Sequence, residues 1–104
     1  MKYIITENQM DRAVLKYLNT KYGDLKPYER DDHPNEILYV KDGEVIFDYD
    51  KKNGDCGISY DHIWSVLESF FGLKNKEIED ITKQWVEEQY NLSVRKTLWY
   101  YYHL

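Results

Sequence analysis

Apolar residues recur at helical spacing near the start of the chain, at Met10, Val14, Tyr17, Leu18 and Tyr22. This is the stripe of an amphipathic helix, and it predicts one over residues 7–22. Thr6 is the expected N-cap, Gln9 three positions on completes a capping box, and Ile5 with Met10 makes the hydrophobic staple. Gly23 is the expected C-cap. The stretch that follows, DLKPYERDDHPN, holds two prolines and no period, which predicts a polar loop over residues 24–35.

Alternation then takes over in EILYVKDGEVIFDYD. Asp42-Gly43 between two alternating runs is a strong hairpin signal and favours a type I′ turn. That turn pairs Lys41 with Glu44, Val40 with Val45 and Leu38 with Phe47. It sets Leu38, Val40, Val45, Phe47 and Tyr49 on one buried face. A second turn, DKKNGD, leads into CGISY, where Cys56, Ile58 and Tyr60 keep the same parity. A three-stranded antiparallel meander follows from that agreement.

Asp61 is the expected cap of a second helix, with Ile63, Val66, Leu67 and Phe70 in one stripe and Trp64 and Phe71 beside it. Gly72 stops it, and Leu73 makes the hydrophobic contact back. Asn75 is the expected cap of a third helix, with Ile78, Ile81, Trp85 and Val86 inward. Glu77, Glu79 and Asp80 fall in its first turns, where the macrodipole favours acids. LSVRKTLWYYYHL alternates again and reads as a fourth strand or an extended aromatic tail. The expected fold class is α+β: an N-terminal helix, a three-stranded meander, a two-helix hairpin and a C-terminal strand or tail, in a single domain over residues 1–104.

Composition adds an aromatic core to this outline. Eleven Tyr and three Trp in 104 residues supply large buried areas in a chain whose mean hydropathy is negative. The apolar runs are far shorter than the ~20 residues that span a bilayer, and MKYIITENQM lacks the apolar centre of a secretion signal. Cys56 is alone and forms no internal disulfide. These features predict a cytoplasmic protein, with Cys56 an inert core thiol.

The net charge of −5 is unevenly spread. Residues 1–28 carry +2, residues 29–55 carry −5, residues 61–92 carry −4 and the tail carries +2. The middle of the chain repels phosphate. That bears on FFGLKNKEIEDITKQWVEE, which has the layout of a helix-turn-helix. Its would-be recognition helix, residues 76–90, carries −3, the wrong sign for a groove lined by phosphates. The pair is expected to be a packing hairpin built on Phe70, Ile78, Ile81 and Trp85.

Catalytic and metal motifs do not assemble in sequence. His33, His62 and His103 have no second His or Cys at zinc-ligand spacing. DYDKKNGD departs from a calcium loop at Lys52 and Asn53, and Ser59 stands where the terminal Glu belongs. Asp31-Asp32-His33 in a proline-flanked loop reads as solvated surface. No phosphate loop, serine elbow or Cys-His pairing occurs within one segment. The expectation is a protein that is not an enzyme, with no cofactor and no metal.

The opening MKYIITENQMDRAVLKYLNTKYGDL, the run ILYVKDGEVIFDYDKKNG, and the later IWSVLESFFGL and WVEEQYNL resemble small uncharacterised proteins of tailed bacteriophages. The resemblance spans most of residues 1–92. It implies a phage-encoded viral protein acting in the host bacterial cytoplasm or in the virion, and it carries no catalytic residue. The leading functional expectation is an acidic accessory protein that binds another protein, modulating a host protein or mimicking nucleic acid. Trp99, Tyr100, Tyr101 and Tyr102 are its candidate partner-binding residues because Tyr and Trp combine contact area with a polar tip. Glu77, Asp80, Glu87 and Glu88 are the candidate phosphate mimics. The alternatives are a virion structural or assembly component, and a nucleic-acid binder using the helical pair or the Arg95, Lys96 and aromatic run.

Overall fold

The computed structural model describes residues 2–102, with side chains from Gln9 onward. The order is helix α1 (Lys2–Tyr22), strands β1 (Lys26–Arg30), β2 (His33–Lys41), β3 (Glu44–Asp50) and β4 (Asp55–Ser59), a π-helical turn (Tyr60–Trp64), helices α2 (Ser65–Ser69) and α3 (Asn75–Tyr90), and strand β5 (Lys96–Tyr100). The fold is mixed α+β, with three helices and a five-stranded sheet rather than a three-stranded meander. Strand order follows chain order, β1-β2-β3-β4-β5. The first four strands are antiparallel neighbours, and β5 lies parallel to β4. Parallel pairing needs a crossover, and here the π turn, α2 and α3 supply it.

The expected loop over residues 24–35 is a correction. Lys26–Arg30 and His33–Lys41 form a hairpin with Tyr28 opposite Leu38. Its polar residues and prolines fit an edge, where one side of the backbone needs no partner. At Asp42-Gly43 both φ angles are positive, 53° and 79°, as a type I′ turn requires. Lys41 pairs with Glu44 and Val40 with Val45, but Tyr39 rather than Leu38 faces Phe47. A bulge at Ile46 shifts the register by one residue. It lets the adjacent Ile46 and Phe47 both enter the core, and it brings Ile37 and Tyr39 to the core face in place of Leu38 and Val40. Cys56 and Ile58 keep their expected parity, opposite Tyr49 and Phe47.

The core lies between one face of the sheet and the helices. Tyr39 stacks on Phe47 at 4.3 Å, and Trp85 and Tyr90 of α3 meet Phe47 edge-on at 5.8 and 5.2 Å. Asn19 of α1 accepts the Trp85 indole N–H at 2.8 Å. The Tyr90 hydroxyl donates to the Tyr22 carbonyl and accepts from the Leu25 N–H, fastening the end of α1 to the end of α3. Val14, Leu18 and Tyr22 are the buried stripe of α1.

Helix ends differ from expectation. The α1 backbone is already helical at Lys2, so Thr6 is inside the helix and not its N-cap; the side chains of Ile5 and Thr6 lie outside the described residues. Gly23 is not left-handed. Its place is set by crowding, since a Cβ there would fall 2.3 Å from the Asn19 carbonyl oxygen. Ser59, not Asp61, caps the π turn by accepting the His62 N–H. Lys74, not Asn75, precedes α3, and its N–H is taken by Glu77 at 2.9 Å. The wider π turn rotates the following stripe: Trp64 and Leu67 are buried and Phe71 packs on Tyr17, while Phe70 turns out to 80 % exposure. The helical pair therefore does not pack through Phe70. Ile78, Ile81, Trp85 and Val86 are buried as the spacing predicts. Among the described residues, no helix is long and apolar enough to cross a membrane.

Candidate functional site

One sheet face is covered by helices; the other, here the open face, is not part of the core. A single row crosses it from edge to edge: Tyr28, Leu38, Asp48, Gly57 and Leu98 stand in register on successive strands. Strand alternation puts a carboxylate and a glycine at its centre. Asp48 accepts the Gly57 N–H at 2.9 Å. A Cβ on Gly57 would meet both the Asp48 carboxylate and the Tyr100 ring at 2.5 Å. The missing side chain is thus what lets an acid and a ring converge over β4.

The chain turns back over this centre after β5. Tyr102 donates its hydroxyl to the Gly57 carbonyl at 2.9 Å, and its phenol pKa is pushed up by burial and then by the charge of Asp48. Burial likewise pushes the Asp48 carboxyl up to about 6, against the opposing effect of the Gly57 N–H; Glu36 adds a smaller push in the same direction as burial. Around this point lies a cleft of about 610 Å³. The carboxylates of Asp32, Glu36, Asp48, Asp50 and Asp55 line it together with Tyr100, Tyr101 and Tyr102. Arg95 forks onto Asp55 at 2.9 and 3.0 Å, which holds that acid below the usual carboxylate range. Arg30 sits 3.6 Å from Glu36. The cleft is an anionic, ring-walled trough, and its chemistry suits a cation.

The four candidate aromatic residues divide between two faces. Trp99 and Tyr101 join Tyr60 in a cluster with ring centroids 5.0 to 5.5 Å apart. Tyr100 and Tyr102 belong to the open face, and Tyr101 also reaches the cleft there. Trp99, Tyr100 and Tyr101 keep 44, 47 and 50 % of their surface exposed. Tyr102 is half-buried and anchors the tail. The candidate acids of α3 have local work. Glu77 caps the helix, Asp80 pairs with Lys76 at 3.1 Å, Glu87 accepts the Val94 N–H at 3.1 Å and Glu88 accepts from Gln84 at 3.0 Å. The structure does not bring these four to the aromatic strand as one surface.

Two features escaped the sequence reading. Asp48 and Gly57 are strand-disfavoured residues at outward positions, flanked by the apolar Phe47 and Tyr49 and by Cys56 and Ile58, and that mismatch is the signal that marks them. Ser59, His62 and Glu44 also line up: Ser59 Oγ lies 2.8 Å from His62 Nδ1, and His62 Nε2 meets Glu44. The order resembles a hydrolase relay, but Ser59 is 3 % exposed and its oxygen is occupied by the His62 N–H. The chain of bonds ties the β2–β3 turn to the π turn. Cys56 is buried, with its thiol pKa pushed up by that burial. Among the described residues, no three His, Cys, Asp or Glu side chains are grouped to hold a metal ion. Asp32 and His33 approach to 3.6 Å at the exposed start of β2. No family model, curated protein or solved structure matches the chain.

Proposed function

We propose that this protein is a small acidic accessory protein that acts by binding another protein, with a cationic segment of the partner seated in the open-face cleft. The observation that carries this reading is the convergence of five carboxylates and three tyrosines on one trough of about 610 Å³. Carboxylates attract Lys and Arg at long range, and tyrosine faces hold them at short range. Trp99, whose ring lies 5.5 Å from that of Tyr101, adds contact area beside the trough. The resemblance to tailed-phage proteins supports a role in an infected bacterium, where the partner is a host protein to be modulated.

Titration with a short arginine-rich peptide, followed by amide shifts, tests the site. Shifts centred on Asp48, Gly57 and Tyr100 that fade with added salt are expected, and Asp48→Asn together with Asp50→Asn should weaken binding. Shifts confined to Glu77, Asp80 and Glu88 would move the binding surface to α3, and no shift at low salt would end the reading. Capture from host cells with Trp99→Ala plus Tyr101→Ala as the comparison then tests whether the aromatic wall contributes.

A further inference from the structure

We propose that β5 pairs antiparallel with the β5 of a second copy of this chain, about a two-fold axis at Leu98, joining two five-stranded sheets into one. In a parallel pair alternate N–H and C=O groups of β5 face β4, and those between them face outward. Among the described residues no strand receives the outward groups. Lys96–Tyr100 contains no proline and a single charge, so little in its sequence resists extension of the sheet.

Reversed upon itself, this strand is complementary. Leu98 lies across from Gly57 and the Tyr100 ring approaches that glycine, which puts Lys96, Leu98 and Tyr100 toward the open face. Thr97 and Trp99 point to the other face, where Thr97 is buried and Trp99 meets Tyr60. Antiparallel pairing about Leu98 sets Lys96 of each copy across from Tyr100 of the other. Both are exposed, and an ammonium over a tyrosine face is attractive.

At the start of the strand Arg95 is paired with Asp55 and Glu87 accepts the Val94 N–H, so Lys96 is the strand's own charge. Beyond its end Glu68 is held by the Tyr60 hydroxyl at 3.2 Å, and the Tyr60 ring lies 5.0 Å from both Trp99 and Tyr101; Asp61 follows Tyr60 in the chain. Antiparallel pairing sets Lys96 across from Tyr100, whereas parallel pairing would set Lys96 beside Lys96. Charge therefore selects the antiparallel arrangement, the one that a closed two-fold permits within a continuous sheet. The pairing does not depend on the cleft taking a cationic partner.

Sedimentation equilibrium of the full chain is the test. The wild-type mass should rise with concentration from 12.7 kDa toward a dimer. Leu98→Lys, which places two like charges on the axis, should stay monomeric, and Lys96→Glu should weaken association about tenfold. Isotope-filtered contacts in a mixed labelled sample should link Lys96 of one copy to Tyr100 of the other, and they decide the matter if Leu98→Lys does not fold. A monomer at every concentration overturns the proposal. So does a folded Leu98→Lys that associates as tightly as wild type, or a dimer whose filtered contacts lie elsewhere.

Discussion

The two edges of this sheet are built on opposite plans. β1 presents Lys26, Pro27, Glu29 and Arg30, and its register breaks between Glu29 and Arg30. Proline removes a donor, charges oppose stacking, and a register break twists the edge away from a would-be partner strand. β5 has one lysine and then an aromatic run whose rings stay half-exposed. Both edges belong to the same sheet, so the difference is not a requirement of folding. It shows that a sheet closes one edge by sequence and leaves the other available, and the available edge adjoins the acidic cleft.

The largest expected effect removes what the two edges share. Trp85→Ala leaves a hole under Phe47 and an unpaired Asn19 amide oxygen, so it should cost about 3–5 kcal/mol in urea unfolding. If β5 alone loosened while β1 and β2 held, the picture of one core under both edges would fail. Gly57→Ala acts on the β5 side only. Its Cβ would press on the Asp48 carboxylate and the Tyr100 ring, and a cost of about 1–3 kcal/mol is expected, with faster amide exchange in β4 and β5 than in β1.

Asp48 supplies a pH test at the boundary between the edges. Its folded pKa of about 6 lies above the ordinary 3.8, so the folded state holds the proton more tightly than the unfolded chain. Stability from this group is greatest below about pH 4 and is lost as pH rises through about 6, by about 3 kcal/mol. Asp48→Asn keeps an oxygen for the Gly57 N–H and removes the charge. It should raise the urea midpoint at pH 7, leave it unchanged near pH 3, and weaken cation binding in the cleft. An unchanged pH profile would mean that Asp48 is better solvated than its place between Gly57 and Tyr102 indicates. The smallest effect on stability is expected at the guarded edge. Pro27→Val should change stability by less than about 0.5 kcal/mol yet restore a backbone donor, and new concentration-dependent association of that variant would show that Pro27 guards β1.

Most of what could be read early was local in origin. The helix stripe through Val14, Leu18 and Tyr22, the Asp42-Gly43 turn, the parity of Phe47, Tyr49, Cys56 and Ile58, and the inward face of α3 each depend on residues a few positions apart. Short-range sterics and the periods of helix and strand settle such features without reference to the rest of the chain. β1 and the first residues of β2 read as loop because their polar residues and prolines carry no alternation; β1 is a strand through pairing with β2, not through its own propensity. The aromatic run was legible as a candidate contact surface, whereas the cleft beside it was not.

The sequence by itself determined that this is an α+β chain with an aromatic core, an N-terminal helix and a central hairpin at Asp42-Gly43. Only the tertiary structure decided the Ile46 bulge, the parallel placement of β5 and the meeting of Asp48, Gly57, Tyr100 and Tyr102. Each of those joins residues from different strands, or from opposite ends of the crossover from β4 to β5. Such pairings are chosen by the packing of the whole core, because no local spacing distinguishes them from their alternatives.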